Sequence, residues 1–383
     1  MTRETELLFS LLRFSLKGEP TENGAVTDDT LKALYRLSRR HNVVHIVGDA
    51  LYQNGLLTED RPLAGEFAEQ QLELLQRYAV QEQERLRTAE ALDAAGIPFI
   101  LLKGAVLRQY YPDPYLRSSC DIDVLVHRED LERAQETLKA ALGYIGNGKL
   151  TSHDVSLFSK SGVLIELHYD LMEDSNQNDG AAILNRVWEH AAPVSEGSSC
   201  YEMTDAMFYF YHIAHMAKHI RSVGCSIRPF MDLWVLEHRV PHDPAARDTL
   251  LKQGGLLTFA TAARRLSEHW FSNAAAGEDT QRFAAFILRY GESETAVSIR
   301  RRDDTDKGRY LLKRVFPPYA SLAFRYPVLQ KHKWLLPVMW VRRWFVLLSP
   351  EKRRRMQLEW ETNTTVSAEQ ANEVARLFDE LDL

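Results

Sequence analysis

The chain is predicted to fold as a mixed α+β protein, with a small mixed sheet embedded in a mainly α-helical body. Residues 1–95, and much of the chain after residue 200, place apolar residues at the three- and four-residue spacing of amphipathic helices. Residues 96–170 instead hold short apolar runs separated by glycine and polar turns, which is the pattern of strands. We therefore expect a helical region at 1–95, an α/β core at 96–200 and a second helical region at 201–383.

The core elements are predicted in order from their local patterns. Phe99–Leu102 reads as a buried strand that turns at Lys103-Gly104 into a short helix. The next strand is predicted at Asp121–Val126, and an amphipathic helix capped by Gly143 at Asp130–Leu142. A hairpin follows, with strands Val155–Phe158 and Val163–His168 around a turn at 159–162. Outside the core, helices are expected at Asp205–His219, Pro229–His238 and Leu256–Phe271, a loop at Asn273–Asp279, and a last helix opened by a capping box at Ser367.

Composition and charge narrow the class of protein. The 383 residues are 45% apolar, which indicates a folded chain of two or three packed units rather than a disordered one. The net charge is -6, yet residues 300–355 hold sixteen Lys and Arg against four Asp and Glu. This basic segment predicts an anionic partner, such as a nucleotide, RNA or a membrane surface, or else a solvated basic face.

The expected location is the cytoplasm. Cys120, Cys200 and Cys225 are scattered without the spacing of a metal site, as in proteins of a reducing compartment. The first residues lack the pattern of a signal peptide. The apolar run at 334–348 is too short to span a bilayer and is interrupted by Pro337 and two arginines. Its tryptophans are expected to pack in a helical lobe, with RNA stacking or membrane contact as alternatives.

Three carboxylates are the strongest indication of chemistry. Asp121 and Asp123 stand two residues apart in an apolar strand, so their side chains leave the same face. Two like charges on such a strand repel each other unless a cation lies between them. Glu166, between Ile165 and Leu167, adds a third carboxylate from a strand that can pair beside the first. Such carboxylates, together with substrate phosphates, suit Mg²⁺ or Mn²⁺, and this arrangement predicts phosphoryl or nucleotidyl transfer. The alternative is that the carboxylates line a solvated strand face.

The Lys103-Gly104 turn is the predicted phosphate side of this site. Glycine permits close approach of the backbone to a phosphate, and Lys103 adds a positive charge. Arg117 can either reach the phosphates or hold the loop against the carboxylates. Arg108 is a weaker candidate for the phosphate contact, with a solvated helix face as the alternative. The chain lacks the glycine motifs of P-loop and Rossmann nucleotide sites.

Several polar residues outside these strands are candidates for supporting roles. His168 shares a strand face with Glu166, which predicts a contact with substrate or with the carboxylates. His212, His215 and His219 form one stripe of a helix. With His168 they offer a zinc site; the alternatives are that the stripe packs against the sheet or lines the substrate cleft. Four residues apart on a predicted helix, Arg228 and Asp232 are expected to form an internal ion pair that braces the cleft.

The order of these motifs resembles the core of the DNA polymerase β-like nucleotidyltransferases. More narrowly, Leu102-Lys103-Gly104, Arg117 through Asp123, and Ile165 through His168 resemble a poorly characterised bacterial nucleotidyltransferase family, over roughly residues 28–350. The resemblance implies that Asp121, Asp123 and Glu166 are the metal-binding triad and Gly104 the phosphate-side turn. This chain has Lys-Gly where Gly-Ser or Gly-Gly is usual, so Lys103 or Arg117 would replace a serine hydroxyl.

The function predicted from these observations is Mg²⁺-dependent transfer of a nucleoside monophosphate from a nucleoside triphosphate (NTP). The acceptor is a hydroxyl or phosphate of a small molecule, a peptide or RNA. The alternatives are a catalytically silent nucleotide- or RNA-binding module, a kinase-like phosphotransferase, and an accessory protein at a membrane surface.

Overall fold

The protein is described from a computed structural model over residues 2–21, 26–150, 153–171, 179–222, 224–290, 307–317, 319, 322, 326, 328–347 and 366–383. It divides into two compact units. The first comprises residues 1–217 and 226–281, and the second comprises 218–225 and 282–383. The predicted division into three successive segments stays a prediction.

Helices dominate both units, as predicted. In chain order they are α1 (Arg3–Lys17), α2 (Asp28–Arg40), α3 (Val44–Gln53), α4 (Ala64–Ala94), α5 (Gly104–Leu107), α6 (Leu131–Leu142), α7 (Asp179–Leu184), α8 (Asp205–Ser222), α9 (Arg228–His238), α10 (Pro244–Gln253), α11 (Leu257–Ser272), α12 (Glu278–Tyr290), α13 (Lys307–Val315), α14 (Val328–Lys331), α15 (Leu336–Leu347) and α16 (Ala368–Leu381). The predicted loop at 273–279 is two residues too long, since α12 already begins at Glu278.

A seven-stranded mixed sheet lies in the first unit. Its strands are β1 (Phe99–Leu101), β2 (Asp121–Val126), β3 (Ile145–Leu150), β4 (Asp154–Phe158), β5 (Leu164–His168), β6 (Ala191–Pro193) and β7 (Cys200–Met203), in the spatial order β3-β4-β5-β2-β1-β7-β6. Strand β2 runs parallel to β5 and antiparallel to β1, and β1 runs parallel to β7. The sequence patterns predicted β1, β2, β4 and β5; β3, β6 and β7 are additions. The α+β fold class is confirmed.

One face of the sheet is the hydrophobic core of the α/β region. Ile122, Val124 and Val126 of β2 join Ile165 and Leu167 of β5 there, all almost completely buried. Helices α4 and α6 cover this face, as Leu92, Ala134 and Leu138 belong to the same cluster. Helix α6 ends at Gly143, whose positive φ of 69° closes the helix as expected. Because side chains alternate along a strand, the residues between these apolar ones leave the opposite face.

The N-terminal helices belong to the same unit and pack through large aromatic side chains. The ring of Phe9 on α1 stacks on Trp270 of α11 with centroids 4.8 Å apart, and Phe230 of α9 meets Trp270 edge-on. Both Phe9 and Trp270 are fully buried. The helical segments before and after the sheet in sequence therefore share one core in space.

The second unit contains the basic, tryptophan-rich segment. Trp340 on α15 packs against a small cluster of Leu322, Leu329 and Met339, and its indole N–H donates to the carbonyl of Pro317 at 2.9 Å. Trp334 is 74% exposed, so the expected packing of the tryptophans holds for Trp340 but not for Trp334. The predicted capping box at Ser367 opens α16. Among the described residues, no helix is both long and apolar enough to cross a membrane.

Candidate active site

The two carboxylate-bearing strands are direct neighbours in the sheet. In the parallel pairing of β2 and β5, Asp123 lies opposite Glu166. Both side chains leave the face opposite the hydrophobic core, because Ile122, Val124 and Ile165 fill that core. The predicted convergence of Asp123 and Glu166 on one sheet face is therefore present.

Asp123 is the most heavily engaged of the carboxylates. Its Oδ1 accepts hydrogen bonds from Lys103 Nζ at 2.8 Å and from His168 Nε2 at 2.9 Å, and His168 Nε2 also lies 3.5 Å from Glu166 Oε2. Burial alone would raise the pKa of Asp123, but the hydrogen bond from His168 and the charge of Lys103 hold it well below its usual range. Asp123 is therefore a buried carboxylate that stays ionised.

Asp121 lies two residues before Asp123 and has a different electrostatic environment. Burial, reinforced by the charge of Asp123, raises the pKa of Asp121 to about 6, although Lys103 partly offsets this. A group of ligand atoms that all lie within 4.8 Å of one another contains Asp123, Glu166 and His168. In the described part of the chain, no such group includes Asp121, which lies beside the cluster.

Lys103 reaches the carboxylates from an unusual backbone conformation. Its φ of 46° and ψ of -117° place a non-glycine residue in a sparsely populated region that costs about 1–3 kcal/mol. Burial works against the charged ammonium, but the acidic groups around it, Tyr211 and Asp123 foremost, hold the pKa of Lys103 well above its usual value. The turn thus holds a permanent positive charge against Asp123.

Gly104 follows Lys103 in this turn and lies next to Ser119 and Arg117 of the loop before β2. A Cβ atom at Gly104 would lie 3.3 Å from Ser119 Cβ and 3.5 Å from Arg117 Nη1. Glycine at this position therefore lets the turn lie close against Ser119 and Arg117. The structure therefore gives a steric reason for the glycine that the sequence pattern singled out.

Tyr211 is part of this site although the sequence analysis did not select it. It is buried on α8, and burial raises the pKa of its phenol; the charge of Lys103 opposes this rise, whereas Asp123 and Asp121 add to it. A tyrosine inside an apolar helix carries no distinctive sequence signal. Only the helix position relative to the sheet brings it to the carboxylates.

Arg117 braces the loop instead of pointing to an open phosphate side. Its Nε donates to Asp232 Oδ1 at 2.6 Å, its Nη1 donates to the Ser118 carbonyl at 2.7 Å, and Tyr111 donates to the same Asp232 oxygen at 2.7 Å. The ion pair expected between Arg228 and Asp232 is replaced by the pair of Arg117 and Asp232. The Arg228 guanidinium instead donates to the carbonyl of Ser118.

Arg108 is another correction. The alternative of a solvated helix face is wrong, since Arg108 is 5% exposed. Its Nε donates to the Gly104 carbonyl at 3.1 Å and its Nη1 pairs with Glu82 at 3.0 Å. Arg108 thus fixes the short helix that follows the glycine turn. Its partner Glu82 lies 26 positions away, so the local sequence around Arg108 gave no sign of its burial.

The histidine stripe on α8 does not join His168 in a metal-type cluster within the described ranges. His212 is buried and its Nε2 lies 3.0 Å from the carbonyl of Pro229, which supports the packing interpretation for this residue. A second group does contain His168, however. Its other members are His153 and Asp154, neither of which was selected from the sequence.

Carboxylates on two parallel strands, with a lysine and a glycine turn at the end of the adjoining strand, are the arrangement expected of a transferase that handles polyphosphate substrates. A family model described as "Uncharacterised nucleotidyltransferase" matches residues 27–272, and the chain belongs to this family. The matched segment includes the entire seven-stranded sheet. No curated protein and no solved structure matches the chain significantly.

Proposed function

We propose that the protein transfers a nucleoside monophosphate from an NTP to a hydroxyl or phosphate acceptor, with Mg²⁺ or Mn²⁺ as the required cation. The observation that carries this proposal is the register of β2 and β5, which sets Asp123 opposite Glu166 beneath the Lys103 turn. Membership of the nucleotidyltransferase family supports the class of reaction. The mixed sheet and carboxylate strands support assignment to the DNA polymerase β-like superfamily.

Asp121, Asp123 and Glu166 are the proposed ligands of the cation. Their oxygens suit a hard divalent ion, and the pKa of about 6 for Asp121 indicates a carboxylate that lacks sufficient positive charge nearby. When bound, such an ion lowers the charge repulsion between a triphosphate and an attacking oxygen. We assign Glu166 the further role of accepting the proton of the acceptor hydroxyl.

Lys103 and Gly104 are the proposed contacts for the triphosphate. The Lys103 ammonium lies on Asp123 at 2.8 Å, a distance from which rotation of its long side chain can bring it to an incoming phosphate. Gly104 lets the turn lie close to Ser119 and Arg117, and this sets the backbone that we propose meets the phosphates. Arg117 contacts Asp232 and Ser118, which favours an indirect role. In this role Arg117 holds the loop before β2 in place beside the Lys103-Gly104 turn that we propose binds the nucleotide. Arg228 supports the same loop through Ser118.

A silent nucleotide-binding module is the second candidate, and one observation favours it. Lys103 already neutralises Asp123, as an internal cation would. In such a module the nucleotide would bind through Lys103 and Gly104 without being cleaved. The two functions therefore differ in the fate of the nucleotide, while the residues that contact it are the same.

The test is transfer from each α-labelled NTP, with Mg²⁺, to pools of small molecules, peptides and RNA. We expect labelled product together with pyrophosphate, and loss of both in Asp123→Asn. Asp29→Asn is the matched control, because the Asp29 side chain is 95% exposed and remote in sequence from the site. Binding without cleavage would support the silent module. Release of a nucleoside diphosphate would instead identify a kinase-like phosphotransferase and overturn the proposed reaction.

We also propose that the protein acts in the cytoplasm. Cys120 and Cys200 are free thiols, the first exposed and the second half-buried. Free thiols are typical of a reducing compartment.

A further inference from the structure

His168 uses only one of its two ring nitrogens toward the carboxylates. Nε2 lies 2.9 Å from Asp123 Oδ1 and 3.5 Å from Glu166 Oε2. Nδ1 is buried and makes no hydrogen bond. A buried polar nitrogen without a partner is unfavourable whether the imidazole is neutral or protonated, because it is either an unused acceptor or an unused donor. Nδ1 of His168 therefore has no partner within the carboxylate site.

The next strand brings two potential metal ligands to this imidazole. Asp154 is the register partner of His168 in the antiparallel pairing of β4 and β5, so the two side chains share a face. His153 precedes Asp154, and its ring centroid lies 5.8 Å from that of His168. One ligand atom from each of the three residues lies within 4.8 Å of the other two. His153 Nε2 and Asp154 Oδ2 are 3.2 Å apart.

These dimensions and donor types suit a particular class of cation. Ligand atoms about 2.1 Å from a tetrahedral ion are about 3.4 Å apart, close to the observed separation of His153 and Asp154. Two imidazole nitrogens and one carboxylate oxygen are the donors of Zn²⁺ and similar transition metals, whereas Mg²⁺ prefers oxygen ligands only. Three protein ligands also leave a fourth position open.

We propose that His153, Asp154 and Nδ1 of His168 form a second cation site, specific for a divalent transition metal such as Zn²⁺. The hydrogen bond from His168 to Asp123 supports this, because a metal-ligating histidine usually donates its other ring N–H to a carboxylate. The site is separate in chemistry from the oxygen ligands Asp121, Asp123 and Glu166. The two sites are linked through His168, whose Nε2 hydrogen-bonds to Asp123 while its Nδ1 would bind the second cation.

The experiment measures metal binding by the full-length protein without nucleotide. Co²⁺ is added as a spectroscopic substitute for Zn²⁺ in the presence of excess Mg²⁺, which occupies oxygen-only sites. We expect about one Co²⁺ per chain, with the strong visible absorption of four- or five-coordinate cobalt, and displacement by Zn²⁺. His153→Ala and Asp154→Asn are each expected to weaken Co²⁺ and Zn²⁺ affinity at least tenfold.

The controls separate this site from the carboxylate site and from surface histidines. Asp121→Asn is expected to retain the cobalt spectrum, and His190→Ala, a partly exposed histidine outside both groups, is expected to bind as the wild type does. Without metal, His153→Ala is expected to unfold at the same temperature as the wild type, because the substitution leaves the fold intact. Equal Co²⁺ affinity in wild type, His153→Ala and Asp154→Asn, or a purely octahedral spectrum in the wild type, would overturn the proposal.

Discussion

Lys103 Nζ lies 2.8 Å from Asp123 Oδ1, so a positive charge from the glycine turn is held directly against a buried carboxylate on β2. The same oxygen accepts the hydrogen bond from His168. Asp121, two residues away, lacks such a concentration of donors, and its pKa is raised to about 6 while that of Asp123 is lowered. Two aspartates of one strand are thereby given different charge states near pH 6.

Replacement of Lys103 by methionine is expected to affect both stability and transfer. Asp123 would keep only His168 as a charged partner, so we expect a loss of about 1–3 kcal/mol in the free energy of unfolding. We expect nucleotidyl transfer to fall about 100-fold or more, because a fixed charge that meets the triphosphate is lost. Urea unfolding and initial rates measure the two effects. Lys160→Met, at an exposed lysine, is the matched control; equal losses in both variants would contradict the role of Lys103.

Asp121→Asn is expected to abolish transfer but to stabilise the cation-free protein at neutral pH. The folded-state pKa of about 6 exceeds the usual 3.8, so the contribution of this group to stability is complete below about pH 4 and is lost as the pH rises through about 6. The variant lacks this loss and should be more stable than wild type by about 2–3 kcal/mol above pH 7. Urea unfolding in EDTA between pH 4 and 8 tests this; a constant difference across that range would contradict it.

Gly104→Ala is expected to weaken nucleotide binding without unfolding the protein. The new methyl group would lie 3.3 Å from Ser119 Cβ, which requires the loop before β2 to shift by a few tenths of an ångström. We expect at least a tenfold rise in the NTP dissociation constant, measured by calorimetry. Gly65→Ala, on α4 with no atom within 4 Å of the new Cβ, is the control and should bind NTP normally. Normal binding by both variants would exclude Gly104 from the phosphate side.

The buried pair of Arg117 and Asp232 is expected to be a large contributor to stability. The two side chains are 14% and 1% exposed, so Asp232→Ala leaves a buried guanidinium without its carboxylate and should cost about 3–5 kcal/mol. Tyr111→Phe removes one hydrogen bond to the same oxygen and should cost about 1.5–3 kcal/mol. Because the residues share one network, the double variant should cost less than the sum. Strict additivity in urea unfolding would show that Tyr111 and Asp232 act independently.

His45 is expected to destabilise the fold in acid. Burial and the nearby Arg228 lower its pKa to about 3, below the usual 6.5, so its contribution to stability is complete above about pH 6.5 and is lost as the pH falls toward 3. The loss is about 1.4 kcal/mol per pH unit in this interval. His45→Gln should flatten the dependence of unfolding free energy on pH between 6.5 and 4.5. His190→Gln is the control, and identical slopes for the two variants would contradict the assignment.

The sequence was sufficient for the parts of the site that follow from strand periodicity. Alternation alone assigned Asp121, Asp123, Glu166 and His168 to one face, and the pairing of β2 with β5 confirms that neighbourhood for Asp123 and Glu166. Short strands such as β6, with three residues including Pro193, are too brief to show a period. Their place in the sheet is decided by pairing with strands distant in sequence.

Register explains why Asp154 was missed. A four-residue turn at 159–162 would pair Phe158 with Val163 and Asp154 with Leu167, a core residue. Instead Ser159 N–H donates to the Val163 carbonyl, and the loop shortens to three residues with Gly162 at a φ of 82°. This single-residue difference sets Asp154 opposite His168. Long-range partners such as Arg117 with Asp232, 115 positions apart, left no local pattern at all.

The lysine on Asp123 also has a consequence for how the protein matures. Domains whose buried acidic ligands have no internal counter-charge often fold only when their metal arrives. Here an ammonium belonging to the chain balances Asp123 from the outset. We therefore expect the polypeptide to complete the core around Asp123 before the proposed cation binds, so that folding at this position does not depend on the metal.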